Sequence, residues 1–362
     1  GITNVQTIED SREVMPLLAK QEVSAVILDL FMPYISGTQL LPEIVRETIR
    51  DIGYTDAKMG FSAETCAVLT TIHQQSPDIA QGVDTGGAGD QGLMAGYACR
   101  ETKELMPMPI MLAHKLTRKL SDVRKDKTIP WLAPDGKSQV AIGYRDGKVK
   151  SVRGINLVAS QSDSAAADLD QLRSDLVTHV VNPVLKSESL KIDNKLISVN
   201  PGGQLIGGGP SLHAGLTGRK TGMDTYGGYC RQNGSALSGK DPLRIDRAGA
   251  YIARYAARNV VAAGLARECE LQLSYSPGSA APANIEARTF GTGTIPDHEI
   301  VGRLREFFDF RLGAVVRDLR LRQLSADGKE RGFYRQLASY GHMGRLDLDA
   351  PWEKSDKASL LK

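Results

Sequence analysis

The residues best suited to hold an anion are concentrated between positions 200 and 246. Gly207-Gly208-Gly209-Pro210 is followed by Gly215-Leu216-Thr217-Gly218-Arg219-Lys220, then by Asp224-Thr225-Tyr226-Gly227-Gly228. A further loop, Ser238-Gly239-Lys240-Asp241-Pro242, leads to Arg244, Asp246 and Arg247. Glycines bare backbone N–H groups, and the Arg and Lys beside them add fixed positive charge; together these can cradle a polyphosphate. Gly239-Lys240-Asp241 is not a Walker A loop, because the earlier glycine and the Ser or Thr after the lysine are missing. One such loop reads equally well as a plain turn, whereas their repetition over so short a stretch favours anion binding. Gly86-Gly87-Ala88-Gly89-Asp90-Gln91-Gly92 is a second kind of site. There glycines allow close backbone approach while an acid points at the ligand. As a bare pattern it is weak.

The elements that must position these loops alternate between β and α. Residues 6–20 read as helical. Val23 to Leu30 is an apolar run of the kind buried on both faces of a parallel strand. Ile44 to Tyr54 is a short amphipathic helix that Gly53 should stop. Cys66 to Ile72 is a buried strand candidate, and the polar stretch after it, around Pro77, is a loop. Met106 to Val123 is a long helical stretch after Pro107 and Pro109. Gln139–Tyr144 and Lys148–Val152 flank Asp146-Gly147, which predicts a hairpin with a tight turn. Ile155–Ser160 is a further strand, Asp168 to Val184 a helix ending at Pro183, and Leu196–Val199 a short strand.

Composition narrows the function classes. Hydrophobic residues make up 41% of the chain and charged residues 24%. Those proportions suit a soluble globular protein of two or three domains. No apolar run approaches the roughly 20 residues of a membrane span, and no secretory signal opens the sequence, so a cytoplasmic location is expected. A net charge of +3 is too small to argue for nucleic acid. The basic cluster Lys115, Arg118, Lys119, Arg124, Lys125 and Lys127 is interrupted by Asp122 and Asp126, and reads as the solvated face of a helix. Cys66, Cys99, Cys230 and Cys269 form no C-x-x-C pair and read as free thiols.

Several ordered motifs resemble the S-adenosylmethionine synthetase (methionine adenosyltransferase) family. They are Gln75-Ser76-Pro77-Asp78-Ile79, Gly87-Ala88-Gly89-Asp90-Gln91-Gly92, Pro134-Asp135-Gly136-Lys137-Ser138-Gln139-Val140, the loops from Gly215 to Pro242, and the tail Tyr340-Gly341-His342 with Pro351-Trp352-Glu353-Lys354. The likeness runs from about Ile44 to the C-terminus. It implies an α+β fold of three similar sheet-and-helix domains around a pseudo-threefold axis, with an N-terminal domain that is atypical or truncated here. The divisions expected are a remnant N-terminal domain over 44–84, a central domain over 85–209 and a C-terminal domain over 210–362.

The resemblance further implies synthesis of S-adenosylmethionine from ATP and L-methionine, with release of phosphate and pyrophosphate. Lys137, Arg219, Lys220 and Lys240 take the catalytic positions, and Asp135, Gly136, Gln204, Leu205 and Ala236 join them in holding ATP. Gln75, Asp90, His213 and Arg244 match positions that hold methionine, and Asp246 a magnesium ligand. Mg²⁺ and K⁺ are the cations implied, and a homodimer or homotetramer with shared active sites is the assembly implied. Gln75–Gly89 matches a gating loop.

The sequence also departs from the pattern. No His-Pro-Asp triplet occurs in it; His213 stands where an Asp is usual, Leu205 where an aromatic ring is usual, and Arg244 replaces a Lys. The alternative expectation is therefore a catalytically impaired, nucleotide-binding or partner subunit. Residues 1–43 resemble something else: a strand ending in Asp29, followed by Met32-Pro33 and Ser36-Gly37, is similar to the phosphoacceptor strand of response-regulator receiver domains. The acidic pair, the Thr or Ser strand and the Lys strand that such chemistry needs do not accompany it. A hydrophobic strand ending in a solvated Asp is thus the expected reading.

Overall fold

The computed structural model of the chain describes residues 11–20, 37–71, 86–163, 167–213, 222–233, 236–324 and 332–362. Val23–Leu30 with Asp29, the gating loop up to residue 85 with Gln75, and Arg219 and Lys220 lie outside the described residues.

Helix α1 (Val14–Lys20) is followed by α2 (Gly37–Ile52), which begins well before the expected Ile44 and accommodates Pro42. Gly53 ends α2 as expected: its φ is +114° and its N–H returns to the Arg50 carbonyl, the left-handed stop that glycine tolerates best. The strand expected over Cys66–Ile72 is not formed in its described part, Cys66–Thr71, and Leu69 is 94% exposed. The Arg46 guanidinium takes the carbonyls of Ala63, Glu64 and Cys66, which ties this segment to α2 by side-chain bonds in place of a ladder.

Two small sheets follow, so the architecture is α+β. The first has the order β1 (Gly92–Cys99), β5 (Glu268–Tyr275), β6 (Asn284–Arg288), all antiparallel. The second has the order β2 (Leu132–Arg145), β3 (Lys148–Gln161), β4 (Ile197–Val199). Asp146 (φ 53°) and Gly147 (φ 67°) make the predicted turn between β2 and β3. Positive φ at both central positions is what a two-residue hairpin turn requires. The strand expected separately over Ile155–Ser160 is the second half of β3, because the hairpin's register continues through bulges to Leu132↔Gln161. The short Ile197–Val199 strand pairs parallel to it.

Helix α3 (Met108–Lys125) starts behind Pro107, as expected. It is less purely solvated than its charge suggested: Lys115 reaches Glu104 and Glu188, and Arg124 donates to the Ile52 carbonyl at the end of α2. Helix α4 (Leu169–Leu176) passes through a π turn, Val177–Val181, into α5 (Asn182–Ser187), so Pro183 does not end it. The Asn182 N–H bonds the Val177 carbonyl five residues back. That widened turn makes room for the proline ring, which would otherwise meet the carbonyl four residues before it.

Helix α6 (Ile245–Ala263) is buried along almost its whole length and closes on Gly264 at φ 85°, again a left-handed cap. It packs across β1 and β5, and Gly96 lets β1 touch its backbone: a Cβ there would sit 2.1 Å from the Ala253 carbonyl carbon. Helices α7 (Asp297–Phe307), α8 (Leu312–Asp318) and α9 (Phe333–Leu337) complete the larger core. The second core lies between α3, the β2–β3 hairpin, α4 and α5. Among the described residues no helix is long and apolar enough to cross a membrane. All four cysteines are free thiols, as expected.

Candidate active site

The start of α6 gathers one group of the expected residues. Arg244 is the N-cap, exposed and in extended conformation, and Asp246 lies in the first turn, where its charge complements the helix dipole. The Lys240 ammonium meets the Asp246 Oδ2 at 2.8 Å, with Asp246 only 9% exposed. Ala236 is buried on the same loop.

Beneath this pair runs a closed ring of hydrogen bonds. Arg247 Nη1 donates to the Lys240 carbonyl at 2.7 Å, and Arg247 Nε donates to Tyr251 Oη at 3.0 Å. Tyr251 Oη meets His342 Nδ1 at 2.9 Å, and His342 Nε2 meets Ser238 Oγ at 2.8 Å. Loop, helix and C-terminal tail are thus tied together at one place. Trp352 stacks on Tyr251 with centroids 3.7 Å apart and donates from Nε1 to the His342 carbonyl. Burial, with Arg247 and Arg345 nearby, pushes His342 down to about 3, and burial pushes the Tyr251 phenol up to about 12; in each case the uncharged form is the one that tolerates desolvation. Burial likewise raises Asp224, partly offset by the Leu237 and Ser238 N–H groups and by Arg247.

A second group lies at the start of β2. The Asp135 carboxylate accepts from the Gly209 N–H at 3.2 Å, and Ser160 Oγ donates to the Asp135 carbonyl. A Cβ on Gly136 would sit 2.6 Å from Leu120 Cδ2, so a side chain there would displace that methyl. Lys137 is exposed and paired in register with Val158. Leu205 is half-buried and its carbonyl accepts from the Gln161 N–H; exposed Gln204 donates to the Ala167 carbonyl at 2.7 Å. His213 is exposed, with its N–H on the Gly209 carbonyl. Asp135 and Gly136 also line a cleft of about 240 Å³ with Ile52, Arg124, Ser339 and Tyr340. Asp90 lies just before β1, exposed, where it accepts from the Gln91 N–H.

In the sequence His342, Ser238 and Trp352 stand out only as members of motifs, and Tyr251 belongs to none. The one local signal for Tyr251 was its place one helical turn after Arg247.

Family models match along nearly the whole chain. The S-adenosylmethionine synthetase N-terminal domain matches residues 19–77, the central domain residues 85–205 and the C-terminal domain residues 207–354. The chain belongs to the S-adenosylmethionine synthetase family. The N-terminal match opens at residue 19, ahead of Ile44 and inside the segment that resembled a receiver.

Proposed function

We propose that this chain makes S-adenosylmethionine from ATP and L-methionine. The observation that carries the reading is the half-buried Lys240–Asp246 pair, held by a bonded ring at the head of α6, within a chain that matches all three domains of the family. The methionine sulfur attacks C5′ of ATP; the S–C5′ bond forms as the C5′–O bond breaks, and the triphosphate departs before hydrolysis to pyrophosphate and phosphate. Sulfur needs no general base, so the protein supplies alignment and neutralisation of the leaving group. Lys240, Arg219 and Lys220 neutralise the triphosphate, and Lys137 acts near the bond being broken. Asp135, Gly136, Gln204, Leu205 and Ala236 seat the nucleotide. Gln75, Asp90, His213 and Arg244 seat methionine.

Asp246 suits magnesium chemically. It is a hard oxygen donor beside a phosphate-binding loop, and Mg²⁺ is ordinarily held by one or two carboxylates together with substrate phosphates. Among the described residues no cluster of three or more His, Cys, Asp or Glu side chains could hold a metal alone, which fits that mode of binding. Bound there, Mg²⁺ would neutralise charge on the triphosphate. K⁺ belongs to the same reading, without residues assigned to it. So do three domains about a pseudo-threefold axis, divided near residues 84 and 209, and a homodimer or homotetramer with shared sites.

The test is product formation from ATP, methionine, Mg²⁺ and K⁺ with the purified chain. S-Adenosylmethionine supports the reading. ATP binding without product supports the nucleotide-binding alternative, and neither binding nor product removes both.

A further inference from the structure

The proton count around His342 assigns a role to Ser238. Tyr251 is fully buried, and its oxygen already receives the Arg247 Nε–H. Guanidinium nitrogens accept nothing, so the phenol proton has one acceptor in the ring, His342 Nδ1. A neutral imidazole carries a single N–H, which therefore sits on Nε2 and is donated to Ser238 Oγ. The Ser238 hydroxyl receives from the ring and keeps its own proton to give elsewhere. Its backbone N–H faces the Asp224 carboxylate, so the loop around it is fixed on the far side as well. Arg247 Nη2, in the same ring, is a second buried donor with no acceptor among the described residues. The ring thus holds unused donors next to Lys240, an arrangement that calls for acceptor oxygens.

We propose that Ser238 is a further ligand-binding residue, donating its hydroxyl proton to an oxygen of the polyphosphate, and that His342 is the positioning residue that keeps this hydroxyl a donor. The inference rests on the reading of the Lys240 loop as a phosphate site. A protonated imidazole would turn an N–H on the Tyr251 hydroxyl and break the ring there, and the other neutral tautomer would in addition compete for the serine proton. The tail of the chain thereby acts on the ligand without touching it.

The test is calorimetric titration of the full chain with inorganic tripolyphosphate and Mg²⁺. Ser238→Ala should weaken binding about tenfold, as expected for one lost hydrogen bond to a charged group, while the chain stays folded with a melting temperature a few degrees lower for the lost His342 acceptor. His342→Leu should weaken it comparably, and His342→Gln, whose amide can still donate to Ser238, should recover most of the affinity. Adding His342→Leu to Ser238→Ala should cost no further affinity. Unchanged binding by Ser238→Ala overturns the inference, and a further loss in the double variant overturns the role of His342. If the unsubstituted chain itself binds no tripolyphosphate, the phosphate reading fails and this inference with it. Should His342→Leu not fold, the Ser238→Ala titration decides alone.

Discussion

Lys240 and Asp246 sit six positions apart, one on a loop and one in a helix's first turn, yet their charged atoms are 2.8 Å apart. The Lys240 side chain is 28% exposed, and the nearly buried Asp246 keeps the favourable end of a helix dipole, so loss of the pair should cost little stability, about 1 kcal/mol. Lys240→Ala should therefore lower the melting temperature by no more than a few degrees while weakening binding of a non-hydrolysable ATP analogue at least tenfold; unchanged affinity would remove Lys240 from the clamp. Lys220→Ala should likewise leave folding intact and weaken triphosphate binding in the same titration. The two buried imidazoles make a different prediction. Burial pushes His114 from 6.5 down to about 4 and His342 from 6.5 down to about 3, with Arg118, Arg247 and Arg345 as the cations nearby. The unfolded chain takes up these protons below pH ~6.5 and the folded chain does not until near 4 and 3, so stability is full above ~6.5 and falls as pH falls through that window. Melting temperature measured from pH 7 to 4 should decline, and in denaturant titrations His342→Gln should flatten the fall of the unfolding free energy by about 1.4 kcal/mol per pH unit. At this scale the sequence made Lys240, Arg244 and Asp246 legible because charge, glycine and a helix start coincide there. Tyr251 and His342 were not legible as partners: they lie 91 positions apart, and nothing in local spacing records such a contact.

Elements were readable where one local rule acted alone. The Asp146-Gly147 turn, α3 behind Pro107 and the stop at Gly53 each follow from backbone conformations that few residues tolerate. The Cys66 segment failed because an apolar run says nothing about whether a neighbouring strand is there to pair with it. Pro183 misled because the π turn before it relieves the clash that ordinarily ends a helix. Two glycines separate packing from propensity in a way that can be measured. Gly96→Ala drives a methyl into the α6 backbone at Ala253 and should cost about 3 kcal/mol or more. Gly302→Ala, on α7 with no atom close to the added methyl, should gain up to about 1 kcal/mol. Urea unfolding of both variants checks the pair, and a neutral Gly96→Ala would contradict the packing of β1 on α6.

Across the whole molecule the tail is secured by a buried ion pair. Arg254 uses every donor: on both Glu353 oxygens and on the carbonyls of Tyr97, Leu105 and Glu104. Arg254→Met leaves the buried Glu353 carboxylate only Arg258 Nη1 at 3.4 Å and the Gly344 N–H at 2.7 Å, and should cost about 3 kcal/mol. Adding Glu353→Gln should recover part of that loss, as denaturant titration would show.

Helix α3 faces two ways: Ile110 and Met111 belong to the larger core, Leu112, Leu116, Leu120 and Val123 to the smaller. Each substitution along it is therefore judged by two juries, and a residue that suits one interior can be vetoed by the other through a shift of the shared backbone. Over generations such a helix should drift more slowly than its exposure implies, while the cores on either side of it remain free to diverge from each other.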